Sequence, residues 1–137
     1  MCFTENTILI RIIMNNKEIG DFGEKTACNF LIKNGYRIIK RNYEVGFDEI
    51  DIIAKSQDKT ILFIEVKTKI EGKAVASGFM PEDQMTEFKL KKIARACQKF
   101  VARHPNLIDE EKGWRIDLIA VILKTETTGI LHHYKNL

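Results

Sequence analysis

Cysteine, proline and long apolar runs are all scarce in this chain, and each scarcity closes off a class of protein. The three cysteines, Cys2, Cys28 and Cys97, are odd in number, widely spaced and without a C-x-x-C pair. That argues against a disulfide framework or a zinc knuckle and leaves reduced thiols in a cytoplasmic protein as the simple reading. The two prolines, Pro81 and Pro105, fall outside the expected regular elements, and there is no Pro-rich linker, internal repeat or low-complexity tract. The only targeting candidate is Thr7-Ile8-Leu9-Ile10-Arg11-Ile12-Ile13-Met14, which is too short to span a bilayer, is broken by Arg11 and precedes no small-residue cleavage site. No membrane partner is therefore expected. That run reads either as an extra strand or as an upstream extension, since Met14 stands just before the polar start Asn15-Asn16-Lys17. An excess of one charge sign is also missing: 22 Lys and Arg against 19 Asp and Glu give a net charge of +3. So small a surplus does not establish a nucleic-acid partner, and the placement of the positive charge matters more.

What is present is an ordinary globular balance, with 45% apolar and 30% charged residues. A chain of 137 residues fits one domain and can bury a core without disulfides or structural metal. The expected division is an N-terminal extension over 1–16 and a single domain over 17–137. Residues 17–34 read as a helix, with Ile19, Gly23, Ala27, Phe30 and Leu31 at helical spacing and Asn34-Gly35 as the stop. A short strand follows at 36–42. Two strands at 50–54 and 60–68, rich in β-branched residues, bracket the polar turn Ser56-Gln57-Asp58-Lys59, a hairpin signal. Residues 70–83 read as an irregular loop, 84–104 as the strongest helix, ended by Pro105, and 114–123 and 129–134 as two last strands. Helix, three strands, helix and two strands make an α/β chain, for which a mixed sheet flanked by helices is the compact solution.

The hairpin carries the chemistry. Asp51 lies inside Glu49-Ile50-Asp51-Ile52-Ile53-Ala54, and Glu65 inside Ile61-Leu62-Phe63-Ile64-Glu65-Val66-Lys67. Carboxylates in strands this apolar are costly unless something compensates. Side chains alternate along a strand, so Glu65 and Lys67 emerge on one face. If the turn holds an odd number of residues centred on Asp58, Asp51 sits opposite Glu65, with Cβ atoms roughly 4.5–5.5 Å apart. A divalent cation between them turns repulsion into binding, and magnesium suits carboxylate and water oxygens. It would polarise a phosphodiester and activate a water, with Lys67 orienting that water or neutralising the developing charge. The Asp/Glu-x-Lys pattern by itself says little, because Glu71/Lys73, Glu87/Lys89 and Glu110/Lys112 share it. The plainer alternative on spacing alone is a structural Asp51–Lys67 or Glu65–Lys67 ion pair. Glu24 shifts the balance. At about 100° per residue it falls about 20° from Leu31 on the first helix, beside the apolar stripe, where a third carboxylate would serve a metal better than an ion pair. Against it stands an exposed Glu favoured early in a helix by the dipole.

The segments Gly20-Asp21-Phe22-Gly23-Glu24-Lys25-Thr26-Ala27, Asp48-Glu49-Ile50-Asp51-Ile52-Ile53-Ala54, Phe63-Ile64-Glu65-Val66-Lys67-Thr68-Lys69 and Trp114-Arg115-Ile116-Asp117-Leu118-Ile119-Ala120-Val121 resemble, in order and spacing, the YraN-like predicted endonucleases. The resemblance covers about residues 17–123. It implies a restriction-endonuclease-like fold distantly related to archaeal Holliday junction resolvases. It also implies a D…ExK core at Asp51, Glu65 and Lys67, an acid of the G-x-x-G-E helix at Glu24, and a lysine at the start of the second helix at Lys89. The chain departs from the family in two places. Asp48 replaces the usual Gly before E-I-D, adding negative charge beside the site, and Arg115-Ile116-Asp117 replaces Arg-Phe-Asp.

The helix at 84–104 carries Lys89, Lys91, Lys92, Arg95, Lys99 and Arg103 against the single acid Glu87, with Leu90, Ile93, Cys97 and Phe100 on its apolar face. A phosphate track is one reading, in which Lys89, Lys92, Arg95 and Lys99 would bind nucleic acid without sequence preference. A solvated amphipathic surface is the other. Lys33, Arg37, Lys40 and Arg41 form a second basic cluster. His104, His132 and His133 read as surface histidines, Arg115 and Asp117 as a structural pair, and Trp114 as packing. The expected function is thus a cytoplasmic nuclease using magnesium or manganese on nucleic acid, DNA above all. Glu24, Asp51 and Glu65 would hold the metal. The alternatives are a non-catalytic nucleic-acid-binding module and a small interaction protein whose acids are merely paired. A homodimer would suit a two-fold branched junction, though no residue marks its interface.

Overall fold

A computed structural model of the chain describes residues 2–4, as backbone only, together with 15–70, 86–124 and 128–137. Helix α1 spans Asn16–Lys33. It starts at a reciprocal cap, in which Asn15 Oδ1 accepts from the Glu18 N–H at 2.9 Å and Glu18 Oε1 accepts from the Asn15 N–H at 3.3 Å. It ends at Asn34, ahead of Gly35 at φ +88°. Strands β2 (Arg37–Val45), β3 (Asp48–Lys55) and β4 (Ile61–Ile70) follow, then helix α2 (Glu87–Arg103), β5 (Trp114–Leu123) and β6 (Thr128–Tyr134). A short N-terminal strand, β1, covers Cys2–Thr4 and pairs antiparallel with β6.

Among the described residues six strands form one sheet in the order β1-β6-β5-β4-β3-β2, with β1 and β2 at its edges. Among the described strands only β4 and β5 run parallel, in continuous register from Ile61↔Trp114 to Ile70↔Leu123. The expected α/β arrangement, a mixed sheet flanked by helices, is what the chain adopts. α1 covers one face, over Ile52, Ala54, Leu62, Ile64, Val66, Ile119 and Val121. α2 covers the other, with Ala96, Cys97 and Phe100 against Ile50, Ile53, Ile61 and Phe63. No helix among the described residues is long and apolar enough to cross a membrane.

Most expected elements stand within a few residues of their anticipated bounds, and the differences have local causes. β2 runs on to Val45, past Asn42, which takes a positive φ of 50° inside the strand, a conformation Asn tolerates better than most residues. α2 begins at Glu87, where the Thr86 side chain accepts from the Lys89 N–H at 3.2 Å. The run 7–14 and the expected loop at 70–83, apart from Ile70, lie outside the described residues. His133 is not a surface histidine. Its side chain is 8% exposed and its Nε2 lies 2.7 Å from Asp117 Oδ2. His104 is also engaged, with Nδ1 3.0 Å from the Phe100 carbonyl and its ring stacked on Phe100. Cys28 and Cys97 are buried and free, and burial pushes the Cys97 thiol up to about 12.

Gly23 sets how closely α1 approaches β4. A Cβ there would overlap the side chain of Thr68. Gly23→Ala is therefore expected to push α1 off the sheet at the residue preceding Glu24 and to cost roughly 1–3 kcal/mol. Denaturant unfolding checks this, and a loss below about 0.5 kcal/mol would show that Thr68 yields without moving the helix.

Candidate functional site

The turn between β3 and β4 has its centre at Asp58. Lys55 pairs with Ile61, and Ala54, Ile53 and Ile52 pair with Leu62, Phe63 and Ile64. Asp58 Oδ1 takes the Thr60 N–H at 3.0 Å and the Ser56 hydroxyl, which hold its carboxyl well below the usual range. This register carries Asp51 opposite Glu65, but the β3–β4 ladder stops one pair short, at Ile52↔Ile64. Beyond it β4 stays with β5 while the start of β3 stays with β2, so the sheet forks. Asp51 sits in the fork, where its Oδ2 accepts the Val66 N–H at 2.8 Å. A carboxylate thereby replaces the missing strand partner. The chain twists here as well: Ile50 packs on the α2 side and Ile52 on the α1 side, although residues two apart in a regular strand share a face.

The Asp51 and Glu65 carboxyl groups are close enough to share a hydrogen bond. Burial first, and the neighbouring Glu65 second, push Asp51 from its ordinary 3.8 up to about 8. Lys67 Nζ stands 3.1 Å from Glu65 Oε1, so the Glu65–Lys67 ion pair considered from spacing is present. Glu24 looks into the same cleft, which has a volume of about 520 Å³ and is also lined by Asp51, Glu65 and Lys67. Its carboxyl is raised by burial, opposed by the nearby Arg41 and reinforced by Glu49, Asp21 and Glu65. With its amide turned to donate, Asn42 bridges Glu24 at 2.7 Å and Glu49 at 3.1 Å. Neither Asn42 nor Glu49 was marked from sequence as part of the site. Asn42 enters through its left-handed backbone, which no periodicity announces.

Among the described residues, no three Asp, Glu, His or Cys side chains converge tightly enough to cage an ion. The Asp51 and Glu65 carboxyls lie within hydrogen-bond reach of each other, and Asn42 bridges Glu24 to Glu49. The donor set still fits a hard cation. Magnesium is commonly held by one or two carboxylates with waters completing its shell, and a cation would replace the proton that Asp51 retains.

A second, smaller cleft of about 180 Å³ opens toward α2 and shares Glu65 and Lys67 with the first. Lys89 and Lys92 line it, together with Asp48, Glu49 and Ile93. Arg95 donates two hydrogen bonds to Asp48, both 3.1 Å, and Lys92 lies 3.9 Å from the same carboxylate. The Arg95 hydrogen bonds hold the Asp48 carboxyl below its usual range despite burial, with the charges of Arg95, Lys92 and Lys99 adding to the effect. Asp48 is thus neutralised by α2 and does not stand as a free negative charge beside the acids. Of the four expected phosphate contacts, Lys89 and Lys92 border the acid site, Arg95 is engaged with Asp48, and Lys99 lies near the β2–β3 turn.

The comparisons with known proteins fall on the same segments. Residues 23–121 match the model of a family described as uncharacterised protein family UPF0102. A UPF0102 protein of Caldicellulosiruptor bescii is 39% identical over 110 residues, covering 80% of this chain and 87% of that protein. One from Trichlorobacter lovleyi is 35% identical over 121 residues, covering 88% and 90%. One from Clostridioides difficile is 40% identical over 110 residues, covering 80% and 90%. Among solved structures, Pyrococcus furiosus SfsA in complex with Ca2+ aligns with 88% of this chain and 62% of its own, at 20% identity and a TM-score of 0.33.

Proposed function

The chain belongs to uncharacterised protein family UPF0102, and from that premise we propose that it is a metal-dependent nuclease acting on nucleic acid, with DNA the first candidate substrate. The observation that carries the reading is the fork in the sheet, which brings the Asp51 and Glu65 carboxyls into contact beside Lys67 in a cleft that Glu24 also lines. The motif resemblance to YraN-like predicted endonucleases, with its restriction-endonuclease-like fold, supports the same reading.

Asp51 and Glu65 would hold magnesium or manganese, and Glu24 would reach it directly or through water. The bound cation supplies Lewis-acid polarisation of the phosphodiester and a more acidic water. The chain's own residues do the rest. The Val66 N–H fixes Asp51 in one orientation. Lys67 keeps a positive charge within 3.1 Å of Glu65, where it can orient a water or stabilise charge on the phosphoryl oxygens. Lys89 and Lys92, which line the adjoining cleft, would hold the strand's phosphates.

The test is cleavage of end-labelled branched, duplex and single-stranded DNA in Mg2+ or Mn2+, with wild type and Glu65→Ala side by side and an EDTA control. Cleavage by wild type alone, abolished by EDTA, is the expected outcome. Tight, salt-sensitive binding without cleavage, unchanged in Glu65→Ala, would instead establish a binding module on the same scaffold.

A further inference from the structure

The β2–β3 hairpin ends in a two-residue turn, Gly46-Phe47, between the paired residues Val45 and Asp48. Gly46 takes φ +63°, as tight hairpin turns require. Phe47 is 103% exposed, the most exposed large apolar side chain among the described residues. A lone surface aromatic is ordinary. This one differs in its mount and its surroundings.

The residue after it, Asp48, is only 6% exposed and is clamped to α2 by the two Arg95 hydrogen bonds and the Lys92 contact. The Nζ of Lys99 stands 3.5 Å from where a Cβ on Gly46 would lie. The tip is thus fixed against the helix, with the Asp48 carboxylate facing Lys92, Arg95 and Lys99 and with Glu44 and Glu49 paired behind it. Lys92, Arg95 and Lys99 follow one another at helical spacing, and the same stripe begins one turn earlier with Phe88, itself 76% exposed. The hairpin's root, Asp48-Glu49, lines the cleft that contains Glu65, Lys67, Lys89 and Lys92. An aromatic face on a rigid mount, set among cations and next to the acid site, has the composition of a platform for unpaired bases. Cations there track the backbone while a ring stacks on a base of any identity.

We propose that Phe47, with Phe88 on the same stripe, stacks on unpaired bases, so that the substrate is nucleic acid with a single-stranded or unstacked segment beside the bond to be cut. This rests on the nucleic-acid reading above and narrows its substrate class. A base inside a perfect duplex offers no free face, so the contact favours single strands, flaps and branch points over blunt duplex.

The test is equilibrium binding in EDTA of a single-stranded oligonucleotide carrying 2-aminopurine, and of the blunt duplex of the same sequence, to wild type, Phe47→Ala and Phe47→Tyr. Stacking predicts quenching of 2-aminopurine by wild type and Phe47→Tyr. It also predicts a loss of roughly tenfold in single-strand affinity for Phe47→Ala, with duplex affinity unchanged. Equal single-strand affinity of wild type and Phe47→Ala would overturn the proposal, and so would a parallel loss on both DNAs. Binding is read without metal and therefore without turnover. Stacking present with no cleavage in Mg2+ overturns the nuclease reading alone, and cleavage present with Phe47→Ala indistinguishable from wild type overturns this inference alone.

Discussion

Replacing Asp51 by Asn is expected to make the metal-free protein more stable while removing its metal-dependent activity. Asp51 is half-buried against Glu65 and raised to about 8, so the folded state keeps a proton that the unfolded chain releases near 3.8. Where the native state binds more protons than the unfolded one, stability falls as pH rises, here across the interval between those two values. Asn carries no charge to confine, and its side-chain oxygen can still accept the Val66 N–H. In EDTA at pH 8.5, Asp51→Asn should therefore be more stable than wild type by roughly 1–2 kcal/mol, the usual scale for relieving a strained functional site. The advantage should vanish near pH 4. Magnesium should raise the unfolding temperature of wild type only, and more strongly as pH approaches 8, because it displaces the retained proton. Cleavage should fall by about a thousandfold or more, the equivalent of several kcal/mol of lost charge stabilisation. Thermal unfolding at the two pH values, with and without magnesium, checks each part. An Asp51→Asn protein less stable than wild type in EDTA would mean that the carboxylate is there to hold the fork together, and the metal reading would lose its main support.

The second large effect is structural. Asp117 is 0% exposed and accepts four hydrogen bonds or close contacts: Arg115 Nε at 3.0 Å and Nη2 at 3.3 Å, His133 Nε2 at 2.7 Å and the Asn136 N–H at 2.9 Å. Burial alone would raise this carboxyl, but His133, Arg115 and the Asn136 N–H more than offset it, and it lies below its ordinary value. Asp117→Ala leaves the half-buried Arg115 guanidinium and the His133 ring without their acceptor. Breaking a buried ionic network by removing one partner costs about 3–5 kcal/mol, which for a chain of this size lowers the melting temperature by roughly 10–15 °C. The sign with pH is opposite to that of Asp51. A depressed carboxyl contributes stability above its unfolded value near 3.8, and that contribution is lost as pH falls through the folded value. Wild type and Asp117→Ala should therefore converge in acid. A gap of under 1 kcal/mol at pH 7 would show that Arg115 and His133 find other partners.

These two carboxylates also show how far the sequence could be read. The alternation of Glu65 and Lys67 and the turn centred on Asp58 are local properties of a hairpin, and they were enough to place Asp51 across from Glu65. The placement of Glu24 was likewise available, because helical periodicity and its neighbour Gly23 are written within eight residues of each other. What periodicity cannot convey is where a ladder ends. The fork depends on β5 holding β4 while β2 holds the start of β3, and those partners are remote in sequence. The Asp117–His133 contact was hidden for the same reason. It joins neighbouring strands, and a histidine near the end of a chain carries no local sign of burial. Arg115 and Asp117, two residues apart on one strand, could be paired by counting. Asp48 reads from sequence as added charge because the partners that pair it, Arg95 and Lys92, lie more than forty residues away on α2.

One edge of the sheet bears on how two copies of the chain could meet. Among the described residues strand β2 has no neighbour on its outer side, and a free edge invites a second molecule to extend the ladder. Its sequence, Arg37-Ile38-Ile39-Lys40-Arg41-Asn42-Tyr43-Glu44-Val45, leaves Arg37, Lys40 and Arg41 exposed along that edge. Brought together antiparallel in the register that pairs Arg37 with Glu44, two such edges would also set Lys40 against Arg41, and like charges directly across a ladder are unfavourable. The cations on this edge therefore weigh against sheet-to-sheet growth through β2.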